Sequence, residues 1–138
     1  MKRIATVLGL AACLSPAAWG ASLELTVTNV ETADGAVHVA VFDSQNGWKS
    51  NSAVEGAVVD AATGSVTLTI DGLAPGEIGI KLYHDVDGDG DLDTRSFGIP
   101  SEPYGFSNDA PVRFGPPGWK KAKFTLGDGA NTHTIKLR

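Results

Sequence analysis

Apolar and polar residues alternate with a period of two along most of the chain. In residues 23–30, Leu23, Leu25 and Val27 fall on one face, and Glu24, Thr26 and Thr28 on the other. In 36–42, Val37, Val39 and Val41 alternate with Ala36, His38, Ala40 and Phe42. Val66, Leu68 and Ile70 repeat the pattern, as do Ile78, Ile80 and Leu82, then Ala122, Phe124 and Leu126, and finally His133, Ile135 and Leu137. One apolar and one solvated face is the pattern of strands in antiparallel sheets, and it predicts six strands. Residues 53–63 hold either a short helix or an extra strand, with a seventh strand expected over 57–60.

Turn-forming residues fall between these runs. "TADG" before Ala36 and "GDGAN" after Leu126 suit tight hairpins, and "LAPGE" joins the strands on either side of it. No long helical periodicity competes. Six to seven short strands at this spacing predict an all-β fold, an antiparallel β-sandwich of immunoglobulin-like or transthyretin-like type. One connection breaks the rhythm. Residues 85–120 are rich in Gly, Pro, Asp and Asn and show little alternation. A loop of that length inside a small domain is usually functional or specially held.

The N-terminus does not belong to this pattern. Lys2 and Arg3 precede the apolar run "IATVLGLAACL", and small residues follow. This is the layout of a secretory signal, and the run is shorter than the roughly 20 residues that span a bilayer. Cleavage after Gly20 divides the chain into a signal peptide, residues 1–20, and one domain, residues 21–138. A rival reading takes "LAAC" as a lipobox with Cys13 as the acylated residue. Either route predicts export to the periplasm or beyond. Cys13 is the only cysteine, so a chain cleaved after Gly20 has no disulfide and relies on its core.

Charge narrows the choice of partners. The formal net charge is −5; without Lys2 and Arg3, nine basic residues face sixteen acids. That balance argues against nucleic acid, which calls for a basic face, and gives no support for an anionic membrane surface. Much of the excess is local. "YHDVDGDGDLDT" holds Asp85, Asp87, Asp89, Asp91 and Asp93 within nine positions.

Neighbouring carboxylates repel, and folding the backbone round a cation offsets that cost. The twelve-residue calcium loop places acids at positions 1, 3, 5 and often 9, with Gly at position 6. Counted from Asp85, these positions are Asp85, Asp87, Asp89, Asp93 and Gly90, with Asp91 at the position that usually offers its carbonyl. The last position should be Glu and is Ser96, and a strand rather than a helix leads in. The missing ligand then comes from further along the chain, from Glu102, Asn108, Asp109 or water. A set of hard oxygen ligands favours Ca²⁺ over transition metals and over Mg²⁺. The plainest alternative is an empty Asp/Gly turn.

Other chemistry is sparse. His84 abuts Asp85, yet a histidine there most often just ends a strand. His38 and His133 have no zinc-ligand spacing. No G-x-S-x-G or phosphate-cradling loop is present. Clustered acids on one loop are poorly placed for glycoside hydrolysis, which needs carboxylates on opposite sides of a bond. Loop aromatics, above all Trp48, Tyr104 and Trp119, suit either stacking on a sugar or burying the long loop. The functional expectation is therefore a non-enzymatic exported module with a structural calcium loop, acting on an envelope protein. The alternative is a glycan-binding module.

The segment "LAPGEIGIKLYHDVDGDGDLDTRSFGIPSEPYGFSNDA", followed by "FGPPGWKKAKFTL", resembles the bacterial family known as domain of unknown function 2141. The motif residues are His84, Asp85, Asp87, Asp89, Gly90, Leu92, Asp93, Phe97, Gly98, Pro100, Glu102, Gly105, Phe106, Ser107 and Asn108. The resemblance implies an exported bacterial protein of one small β-rich domain and no established activity. Two departures stand out. Asp87 and Asp89 occupy positions where Asn is common, which makes this loop more anionic. Lys120 and Lys121 replace frequent acids, and are expected to approach the acidic loop.

Overall fold

The structure is a computed structural model that describes residues 20–88, 90 and 102–138. The expected signal peptide and Cys13, together with Asp89, Asp91 and Asp93, lie outside the described residues. Among those described, eight strands form two sheets: an all-β sandwich, as the alternation predicts. They are β1 (Ala21–Val30), β2 (Ala36–Phe42), β3 (Glu55–Asp60), β4 (Gly64–Leu73), β5 (Gly76–Asp85), β6 (Tyr104–Phe106), β7 (Phe124–Leu126) and β8 (Gly129–Lys136). Two short helices, α1 (Gln45–Ser50) and α2 (Trp119–Ala122), and a 3₁₀ turn (Ser107–Asp109) complete the described chain.

One sheet runs β4-β1-β8, and the other β3-β2-β5, with β6 and β7 side by side along the free edge of β5. The inward faces match the alternation. Leu23, Leu25 and Val27 meet Val37, Val39, Val41, Ile80, Leu82 and Ile135 in one apolar core. Asn29 adopts a left-handed backbone (φ 63°) at a bulge in β1, where the register to β4 slips between Thr28 and Val30. The slip turns Val30 inward, and the Asn29 Nδ2 donates to the Leu137 carbonyl at 2.8 Å.

Three expectations about connections need correction. "TADG" is not a hairpin, because β1 and β2 lie in different sheets. "GDGAN" likewise carries the chain from β7 in one sheet to β8 in the other. The pairing is not wholly antiparallel either, since β8 runs parallel to β1 from Gly129 to Lys136. Alternation states which face of a strand is buried. It does not state which strand lies beside it, and a short turn can arch between sheets as well as fold back within one.

The described part of the region 85–120 is also less irregular than expected. β6 pairs with β5 in the register Lys81↔Phe106, Leu82↔Gly105 and Tyr83↔Tyr104. Three residues are too few to show alternation, and Gly105 is inward because nothing larger fits. A Cβ there would stand 2.8 Å from the Ile135 side chain. Tyr104 and Arg138 exchange backbone hydrogen bonds at 3.1 and 2.9 Å, which closes one side of the sandwich.

Candidate functional site: the carboxylate cluster at the end of β5

β5 has neighbours along both edges, β2 on one side and β6 and β7 on the other. Ile78, Ile80, Leu82 and His84 point into the core, and Gly79, Lys81, Tyr83 and Asp85 point outward. The inward parity explains His84. It is fully buried, and its Nε2 lies 2.6 Å from the Asp34 carbonyl. Nε2–H is therefore the donor, and Nδ1, also buried, finds no hydrogen-bond partner among the described residues. A ring held this way ends a strand, with neither nitrogen open to solvent.

Asp85 is the last residue of β5 and only 2% exposed. Its Oδ2 accepts from the Gly90 amide at 2.9 Å and lies 3.2 Å from His38 Nε2. His38 reaches it from the neighbouring strand, where it stacks on Tyr83 at 5.0 Å. Tyr83 in turn donates its hydroxyl to the Gly90 carbonyl at 2.8 Å. Gly88 (φ 72°) and Gly90 (φ 83°) take the left-handed backbone that lets the loop turn this tightly. Gly35 serves the same site from the other side, because a Cβ there would overlap the Asp85 carbonyl oxygen. The glycine of "TADG" is thus required by packing rather than by a hairpin.

Glu102 then returns to this place. It is 8% exposed, and its Oε2 accepts from the Val86 amide at 2.8 Å and the Asp87 amide at 3.5 Å. Pro103 and β6 deliver it, since the His84 amide donates to the Pro103 carbonyl at 2.8 Å. One carboxylate oxygen each from Asp85, Asp87 and Glu102 lies within 4.8 Å of the others. Two of the three are buried and one is exposed, so the cluster has a dry base and a wet mouth. Three carboxylate oxygens so placed could hold a metal ion.

The other candidates for the missing ligand are elsewhere. β6 runs antiparallel to β5, so Asn108 and Asp109 are carried away from Asp85. Asp109 Oδ1 accepts from the Lys136 amide at 2.9 Å, and Asn108 Nδ2 donates to the carbonyls of Lys121 and Lys123 at 3.1 and 2.9 Å. Among the described residues, Lys120 and Lys121 make no ion pair with Asp85, Asp87 or Glu102. α2 packs beside Gly79, whose missing Cβ would meet Trp119 at 2.9 Å and Trp48 at 3.0 Å. Gly79 and Asp85 are six positions apart on one strand, roughly 20 Å.

The aromatic residues form a second, smaller core over the outer face of β2 and β5. Phe42, Trp48, Ala110 and Ala122 are buried there, with Phe106 and Trp119 packed against them. Trp48 is 4% exposed and donates its indole N–H to the Pro117 carbonyl at 2.9 Å. No broad face of Trp48 is left for a sugar, and Tyr104 and Trp119 are half-buried. Lys81 lies 4.6 Å from the Trp48 ring centre and 4.7 Å from that of Phe42, and burial lowers its pKa. Ser107, given in the sequence only as a motif residue with no role, is fully buried. Its hydroxyl accepts from the Ile80 amide at 2.9 Å and donates to the Ala122 carbonyl at 2.5 Å. It fills the gap that β6 and β7 leave along β5. The only signal for it was its place in "GFSN".

The family model described as an uncharacterized protein conserved in bacteria, domain of unknown function 2141, matches residues 25–134. The chain belongs to that family. The match takes in the acidic loop, Glu102 and Ser107, so the domain of unknown function 2141 carries the whole sandwich apart from its outermost strand ends. No curated protein and no solved structure gives a significant match. Among the described residues of this member, no helix is long and apolar enough to cross a membrane.

Proposed function

We propose that this protein is an exported, non-enzymatic β-sandwich module of the bacterial envelope that holds Ca²⁺ in the loop following β5. One observation carries the reading. Glu102, distant in sequence and buried, is brought back to within 4.8 Å of Asp85 and Asp87. The signal-like N-terminus supports export, and calcium is plentiful outside the cytoplasm. A site of sub-millimolar to millimolar affinity suffices there.

The role of the ion is structural. Asp85 ends the central strand of its sheet, and Glu102 sits just before β6. An ion between them clamps both ends of the long loop to the sandwich. Asp89, Asp91 and Asp93, outside the described residues, supply further candidate oxygens. Titration of chelator-treated protein with CaCl₂ in a calorimeter tests the reading, with MgCl₂ as the comparison. A saturable calcium isotherm is expected. A flat trace at millimolar Ca²⁺ removes the proposal.

A further inference from the structure

The charges of this chain are divided along its length. Residues 110–138 hold six of the eleven Lys and Arg and one of the sixteen Asp and Glu. The fold separates part of that division along β5, although Lys136 and Arg138 lie at the Asp85 end and Lys123 pairs with Glu77 at 2.8 Å at the other. Asp85, Asp87 and Glu102 gather at the C-terminal end of β5. α2, with exposed Lys120 and Lys121, packs beside Gly79 toward the other end. Between Ala110 and α2 runs a loop that also carries Arg113, exposed, and Phe114, whose side chain is wholly in solvent. Phe114 is the most exposed large apolar residue among those described.

This loop is held rather than loose. Pro111, Pro116 and Pro117 restrict its backbone. Its far end is tied down by the bond from Trp48 to the Pro117 carbonyl, and α2 beyond it by the bond from Ser107 to the Ala122 carbonyl. An aromatic ring presented on a stiff loop loses little conformational entropy when it is buried by a partner.

We propose that residues 111–121 form a docking element for an anionic lipid surface. Phe114 enters the boundary between headgroups and acyl chains, and Arg113, Lys120 and Lys121 lie among the headgroups. A projecting ring that shares one shallow concavity with Arg113 and Lys121 fits a soft apolar layer under a negative surface, the arrangement by which peripheral proteins attach. The acidic pole then faces away from the membrane. The inference stands apart from calcium binding.

Sedimentation with lipid vesicles in EDTA tests it, because without calcium no ion bridges the acidic loop to a headgroup. Vesicles of phosphatidylglycerol in phosphatidylcholine are expected to bind the protein, and vesicles of phosphatidylcholine alone are not. Raising salt from about 0.1 M to about 1 M should release it. Phe114→Ala should weaken binding about tenfold, from the lost burial of one ring. Arg113→Gln and Lys121→Gln should each weaken it about fivefold. Parent and variants differ at one residue each, so the difference between them reads the loop alone. Phe114 is exposed, and an unchanged melting temperature confirms that its variant is folded. Binding that ignores phosphatidylglycerol, or that Phe114→Ala leaves intact, overturns the proposal. So does competition by soluble polyglutamate as strong for Phe114→Ala as for the parent, which would assign the basic pole to an acidic protein.

Discussion

Replacing Glu102 by Gln separates a calcium clamp from an acidic turn. The amide is nearly isosteric with the carboxylate, and its oxygen can still accept from the Val86 amide, now 2.8 Å from Glu102 Oε2. What is lost is one of three converging charges. At about 1 mM Ca²⁺ and a Kd of about 10⁻⁴ M, within the extracellular range, binding to the folded state alone adds about 1.4 kcal/mol. Unfolding entropy of about 2.1 cal/mol/K per residue over residues 21–138 converts this into a rise in Tm of about 6 °C. Even at the dielectric of water, a unit charge about 2.5 Å from a divalent cation contributes about 3 kcal/mol. Losing most of that raises Kd on the order of a hundredfold. The calcium-dependent rise for Glu102→Gln then falls below about 1 °C. The assay is thermal unfolding by circular dichroism of parent and variant, each with EDTA and with CaCl₂. A variant that keeps the full rise places the ion away from Glu102 and refutes the reasoning.

Three further outcomes follow from the packing. Ser107→Ala leaves the Ile80 amide and the Ala122 carbonyl without the hydroxyl that joins them, and should cost about 1–3 kcal/mol in denaturant unfolding with an unchanged m-value. Gly79→Ala drives a methyl into Trp48 and Trp119; a loss of about 1–3 kcal/mol is expected, with a shift in tryptophan emission as the indoles move. His133 receives the Asn108 amide on Nε2 at 3.1 Å and stacks on Phe124, and burial lowers its pKa, although Asp109 opposes the shift. Below about pH 6.5 the unfolded chain therefore binds the extra proton more readily. The stability is fully present above that value and declines as pH falls through it toward the lowered folded-state pKa. A Tm-versus-pH profile should show the decline, and His133→Gln should flatten it.

The sequence alone determined the class of fold and the crowding of carboxylates after β5. Period-two alternation is a local property. It follows from the direction of successive side chains along a strand, so Leu23, Val39 and Ile80 could be assigned to a core before any partner was known. The loop was legible for a related reason. Five aspartates in nine positions bring carboxylates together whatever the fold, and the absence of Glu at the last calcium-loop position directed attention to Glu102. Tertiary structure decided what depends on partners. It turned "TADG" into an arch between sheets, with Gly35 against Asp85. It set β8 parallel to β1, and it buried Trp48 under a loop. It also set Glu102, rather than Asn108 or Asp109, beside Asp85 and Asp87, because β6 returns antiparallel to β5 and leaves Glu102 at the strand end while carrying the other two away. Side-chain parity is written in the chain one residue at a time. Which strands meet, and in which direction, is set by the packing of the whole core, and that placed Asp85 and Glu102 at one end of β5 and α2, with Lys120 and Lys121, toward the other.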